Sequence, residues 1–266
     1  MTTFKIIIAS LLCLCLLNTQ AQTKITATAM PIPKEVLKEK NWITGFTLLP
    51  HAVPCVALNN GVFISGLDEW LVPPVFTGLH SLSYSHADSS IALLSGSKTR
   101  SYLSKLSIAT GDLSLVDSLD GRFFKVYDFS TNYWLLSGEE NGVFGLWSYS
   151  KSAGYSSPVF QSKYPITAFT RGQSGDMYIG GGGMVLHLDA NYKTKDTYAL
   201  NLEIDGLAET EDGHLLVSTS GGVLMRDRPS GKMIVMLDQI HGNIEVYGKA
   251  VYILDAEHEQ VIKFKL

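Results

Sequence analysis

The residues of this chain best suited to chemistry do not gather into a motif. There is no Cys-x-x-Cys or His-Glu-x-x-His run, so a structural zinc site has no ligand supply. A Gly-x-Ser-x-Gly nucleophile elbow is absent. His187 and Asp189 alternate with leucines over 184–189, which puts both on the face opposite the leucines. They read as a solvated or edge-facing polar pair rather than a catalytic dyad. Gly180 to Gly183 lacks the Lys-Ser/Thr ending of a phosphate loop and no helical pattern follows it, so a tight turn is expected. Cys55 lies in Val53-Pro54-Cys55-Val56-Ala57, the setting of a buried small hydrophobe rather than a reactive thiol. The other polar candidates, His80, Arg122, Tyr164, Asp205, His241, Asn243 and Glu245, are dispersed along the chain. They can act together only if a fold makes them converge.

Composition narrows that fold. The chain has 266 residues, 45% of them hydrophobic, enough for a sizeable core in one large β domain or two small ones. Only 17% are charged, so Ser, Thr, Asn and Gly must cover much of the surface. The formal net charge is -4 with no basic stripe, which argues against a nucleic-acid partner. Residues 1–21 read as a secretory signal peptide: Lys5, an apolar run over 6–17, then Thr19-Gln20-Ala21 before the expected cleavage point. That run is short for a membrane span. The mature chain is therefore expected to be exported, periplasmic or secreted, with no membrane span. It keeps Cys55 alone and so has no internal disulfide.

The organising unit is clearest at 204–237. Glu211-Asp212-Gly213 is a turn, because Asp can bond its own backbone and Gly accepts positive φ. An aliphatic strand over 214–219 follows, then Ser220-Gly221-Gly222, a third strand, Pro229-Ser230-Gly231 and a fourth strand. The unit recurs. Second-strand ends align at 62–66, 92–96, 134–138, 177–181, 215–219 and 251–255, stepping by roughly 40 residues except for a first step of about 30. Units open with strand candidates at 79–85, 123–129, 166–170, 202–207 and 244–247. Four strands per step of roughly 40 residues predict an all-β six-bladed β-propeller with four-stranded antiparallel blades. The last unit has only three strands, and an open edge must be covered. The N-terminal strand at 42–49 is spare and is expected to close it. The expected layout is a signal peptide at 1–21, a lead-in at 22–41 and the propeller at 42–266.

Over 211–224 (EDGHLLVSTSGGVL) the sequence resembles the repeats of sensor-type and NHL/gluconolactonase-type propellers: an acidic turn, an aliphatic strand and a Gly-Gly start to the third strand. Residues 176–185 are a looser copy. The resemblance implies the fold. It leaves function open among enzymes, ligand binders and interaction platforms.

In such a ring, the links into the inner strands and the turns between second and third strands face the central channel. Reading along them gives a broad map that includes Lys98, Arg100, Lys125, Glu139 and Glu140, narrowed to His80, Arg122, Tyr164, Asp205, His241, Asn243 and Glu245 as ligand-binding candidates. Gluconolactonase-like propellers hold a divalent cation at the channel. The resemblance makes Asp205, Asn243 and Glu245 the candidate ligands here for a hard cation such as calcium. No catalytic set stands out. The expected function is a monomeric recognition module that binds a protein or small ligand on one face. The alternatives are a metal-dependent lactonase or esterase and a carbohydrate-binding protein.

Overall fold

Short aliphatic runs punctuated by Gly, Asp, Asn and Ser turns fold into hairpin after hairpin. The computed structural model describes residues 25–37, 41–65, 67, 69–72 and 76–266. The expected signal peptide at 1–21 lies outside the described residues. An N-terminal strand, β1 (Ala27–Pro31), precedes the first blade. Blade 1 holds β2 (Ile43–Leu49), β3 (Val53–Leu58), β4 (Gly61–Ile64) and β5 (Glu69–Val72). Blade 2 holds β6 (Leu79–Ser85), β7 (Ser90–Gly96), β8 (Arg100–Ser107) and β9 (Leu113–Asp120). Blade 3 holds β10 (Arg122–Ser130), β11 (Tyr133–Glu140), β12 (Val143–Ser150) and β13 (Tyr155–Ser162). Blade 4 holds β14 (Ala168–Arg171), β15 (Met177–Gly181), β16 (Met184–Leu188) and β17 (Thr194–Ala199). Blade 5 holds β18 (Ile204–Glu209), β19 (Leu215–Thr219), β20 (Gly222–Arg226) and β21 (Met233–Asp238). Blade 6 holds β22 (Asn243–Tyr247), β23 (Ala250–Asp255) and β24 (Gln260–Lys265). Blades 1 to 5 are antiparallel meanders in chain order, and the whole is a six-bladed β-propeller. Gly182 and Gly183, at φ 58° and 76°, form the tight hairpin turn expected of the glycine run.

Blade 6 is completed by β1, whose residues pair with β24 from Ala27 opposite Phe264 to Pro31 opposite Gln260. The Ile32 N–H then donates to the Glu259 carbonyl. This corrects two expectations. Segment 42–49 does not close the ring, because it is the inner strand β2. The propeller begins inside 22–41, the stretch expected to be a lead-in. Both errors have one source: the expected second strand of blade 1, 62–66, is its third strand, β4. The true second strand, β3, carries Pro54, which disguised it. With Leu58 as marker the first step becomes about 37 residues, in line with the rest.

The core is divided rather than central. One apolar cluster lies at each of the six blade-to-blade seams. Successive residues of a second strand serve opposite seams: in β11, Leu136 packs toward blade 2 and Leu135 toward blade 4. These middle strands are apolar on both faces because both are covered. Outer strands show the reverse. β17 (Thr-Lys-Asp-Thr-Tyr-Ala) is almost wholly exposed, and β13 carries Pro158, both of which suit an edge. Burial in the blade 1 seam pushes the Cys55 thiol well above its ordinary value, the state of an inert buried cysteine.

Candidate functional site

The seams take up the apolar side chains, and the axis is lined by what the inner strands have left. Four inner strands open with a β-bulge, shown by register shifts at Ile43/Gly45, Leu79/Ser81, Phe123/Lys125 and Ile204/Gly206. A bulge inserts one residue and re-aims its side chain. The bulged residues are Thr44, His80, Phe124 and Asp205. Just past the bulges, matching positions of blades 1 to 5 hold Gly45, Ser81, Lys125, Ala168 and Gly206, and blade 6 contributes Asn243. Four of the six are small. That leaves room for Lys125 to cross the axis, where its Nζ donates to Asn243 Oδ1 at 2.5 Å. Blade 3 is thereby joined to blade 6 on the far side of the ring. Gly206 is needed for close packing, since a Cβ there would sit 2.6 Å from the Gly242 carbonyl.

The crossing divides the channel. A cavity of about 500 Å³ opens at the ends of the inner strands, with Tyr84, His86, Asp128, Thr131, Arg171 and Glu209 toward its mouth. A cavity of about 310 Å³ opens on the opposite face, among Thr44, Thr167, Glu203, His241 and Glu257. Lys125, Asp205 and Asn243 line both and form the waist. Glu245 lines only the larger cavity, where one carboxylate oxygen accepts the Leu48 N–H at 2.9 Å. Asp205 turns to His241 Nδ1 at 3.0 Å.

Lys125 and Glu245 keep part of their surface open, but only to the cavities, and protein surrounds them on every other side. This enclosure dominates their titration. It draws the Lys125 ammonium down to about 8, against the attraction of Asp205 and Glu245. It pushes the Glu245 carboxyl up to about 7, against the Leu48 N–H, the Thr47 hydroxyl and Lys125. Asp205 is also raised by burial, with His241 opposing. Burial, and then the nearby Glu245, raise Tyr127.

The candidates named from the sequence therefore separate. Asp205, His241 and Asn243 meet on the expected face, and Glu245 lies beyond the waist. His80 lines neither cavity. Its Nδ1 is 2.7 Å from the Gly78 carbonyl and its Nε2 2.8 Å from the Phe123 carbonyl, so the ring pins the junction of blades 2 and 3. Arg122 lies over the Phe124 ring at 5.2 Å, and exposed Tyr164 packs on the Gly182 turn. Neither reaches a cavity. His187 pairs with Asp176 at 2.9 Å and stacks on Tyr178, while Asp189 accepts N–H groups of its own turn, so no dyad forms.

Asp205, Asn243 and Glu245 do not fit a divalent cation as they stand. The Asn243 oxygen that would coordinate it is taken by an ammonium that already supplies positive charge on the axis. Among the described residues, no group of three or more His, Cys, Asp or Glu is arranged to hold a metal. Lys125 belonged to the broad sequence map but not to the narrowed set. Its signal was a cation flanked by apolar and aromatic residues, Phe-Phe-Lys-Val-Tyr over 123–127.

No protein-family model and no curated protein sequence matches the chain. Solved structures match its fold. A gluconolactonase from Xanthomonas campestris aligns with a TM-score of 0.70 at 9% identity, over 92% of this chain and 90% of that one. A protein of unknown function from Bacteroides thetaiotaomicron aligns with a TM-score of 0.67 at 11% identity, over 84% and 69%. The extracellular domain of what is described as a one component system of B. thetaiotaomicron aligns with a TM-score of 0.60 at 15% identity, over 84% of this chain and 32% of that one. This chain thus spans about a third of that domain's length. The likeness is one of architecture: this is a six-bladed β-propeller, and the solved structures that share its architecture include a gluconolactonase and an extracellular domain. Among the described residues, no helix is long and apolar enough to cross a membrane.

Proposed function

We propose that the protein is an exported recognition module that binds a small polar ligand in the larger axial cavity. The observation that carries this reading is the cavity itself. At about 500 Å³ it has the size of a small-molecule site. Apolar wall residues such as Leu48, Phe169 and Val246 alternate there with Ser83, Tyr127, Thr170 and Glu245. A few convergent polar groups on an apolar wall orient a ligand. Lys125 occupies the centre of the waist, where the metal of a hydrolase would be sought, which favours binding over hydrolysis. The extracellular domain among the structural neighbours and the leader-like segment at 1–21 support export.

The test is calorimetric and thermal-shift screening of the mature protein against small polyols, sugars, organic acids, amino acids and lactones. Thr131→Trp, on the exposed hairpin at the mouth, serves as a blocked control. Binding that the control loses is the expected result. Steady turnover of a lactone or ester would replace this reading with a hydrolase. N-terminal sequencing of the periplasmic or secreted protein, expected to begin at Gln22, checks export.

A further inference from the structure

Lys125 is the channel group whose bonding the ring leaves incomplete. An ammonium has three N–H donors. Among the described residues it has one hydrogen-bond partner, Asn243 Oδ1, and it joins no ion pair: neither Asp205 nor Glu245 comes within pairing distance of Nζ. An enclosed ammonium with open donors is costly unless acceptors reach it. The acceptors must come from the cavities it lines.

Charge around the larger cavity limits what those acceptors are. Most acids on its wall are already engaged. Asp128 pairs with Lys151 at 2.5 Å, Asp205 with His241 at 3.0 Å, and Glu209 accepts the Gln173 N–H. Among the described residues, the cations Lys125 at the floor and Arg171 toward the mouth have no carboxylate partner. Arg171 donates to the Phe129 carbonyl and stacks on its ring. We propose that Lys125 anchors the carboxylate of a small organic acid at the floor of the larger cavity. This rests on the reading of that cavity as a ligand site.

Glu245 is the remaining acid, and it becomes a partner instead of an obstacle. It is faced by Lys125 and Tyr127 from β10, Thr47 and Leu48 from β2, Cys55 from β3 and, across the waist, Asp205 from β18. A second negative group brought to Lys125 favours the neutral carboxyl at Glu245, which burial already holds near 7. Protonated, Glu245 donates an O–H to the incoming carboxylate. Binding then takes up a proton at Glu245 wherever that carboxyl is still ionised in the free protein, so affinity rises as pH falls toward about 7.

The experiment is isothermal titration of the mature protein from pH 6 to pH 8.5, in buffers of different ionisation enthalpy. The probes are glycerate, tartrate and glucuronate beside the uncharged glycerol, threitol and glucose. The acids are expected to bind at least about tenfold more tightly than their counterparts, with proton uptake. Lys125→Met should weaken acid binding by about tenfold or more, and Glu245→Gln should remove the proton uptake near pH 7, leaving only that of Lys125 above about pH 8. If uncharged probes bind as tightly, or Lys125→Met binds acids unchanged, the carboxylate anchor is wrong while the ligand-site reading stands. If neither class binds, both fall. Should Lys125→Met fail to fold, the contrast between acids and neutral probes on the native protein decides alone.

Discussion

Phe123 and Lys125 are two residues apart on β10 and belong to different worlds. Phe123 is 1% exposed, sits in the seam between blades 2 and 3, and meets Trp147 edge-on at 5.2 Å. Lys125 points along no seam and reaches across the axis to a single amide oxygen. The seams are apolar, redundant and repeated six times. The waist is polar and built from three unlike residues, Lys125, Asp205 and Asn243, of blades 3, 5 and 6. Stability resides in the first region, and the proposed binding in the second.

Removing the closing strand tests the seams most severely. Deleting residues 25–32 strips β24 of its partner and removes Ile32 from the blade 6–blade 1 seam. The melting temperature should fall further than for any point substitution. Scattering should show self-association through the exposed β24 edge. Within a seam, Phe123→Ala should cost about 3–5 kcal/mol in a urea titration, from lost burial plus the cavity left behind.

The waist should respond to pH instead. Glu245 has its ordinary value of 4.5 when unfolded and about 7 when folded. Between those values the unfolded chain releases the proton and the folded ring keeps it, so this group's contribution to stability falls as pH rises from 4.5 to 7. Lys125 runs the other way. Its folded value of about 8 lies below 10.5, so stability from this group rises between pH 8 and 10.5. The two leave a trough between pH 7 and 8. Glu245→Gln should flatten the acid limb, a difference on the order of 1–3 kcal/mol between urea midpoints at pH 5 and pH 7.5 once cavity water is allowed for. A limb of unchanged slope in the variant would mean that Glu245 titrates normally. The smallest effect concerns metal. Millimolar calcium or a chelator should move the melting temperature of the native protein by less than about one degree, because a ligand that does not bind the native state cannot stabilise it. A shift of several degrees would mean that Lys125 yields the waist to a cation.

The ring was legible because its signals are local. Alternating and aliphatic runs, hairpin turns and a repeat of roughly 40 residues gave six units and placed five inner strands. Where a local signal was blurred, the reading slipped. Pro54 masked β3, the marker moved to β4, and β2 was left looking spare. The actual closing strand, Ala-Thr-Ala-Met-Pro, has no clear apolar face because it lies on an edge, and its partner β24 is at the far end of the chain. The candidate site was half legible. Topology put Asp205, His241 and Asn243 on one face. It also included His80, Arg122 and Tyr164, which share that loop class but are held by backbone carbonyls, lie over a neighbouring ring or pack on the Gly182 turn.

The amino-acid sequence by itself determined the strand order, the six-fold repeat, the apolar seams and the kinds of polar residue available to the axis. These depend on neighbours close in the chain, where spacing and residue type suffice. The tertiary structure alone decided which strand closes the ring, that Glu245 lies across the waist from His241, and that Lys125 fills the space where a cation was expected. Ring closure joins Ala27 to Phe264, and the waist joins Lys125 to Asn243, which lies 118 positions further along the chain. Such contacts follow from ring closure and from small residues at four neighbouring positions, and no local pattern encodes them.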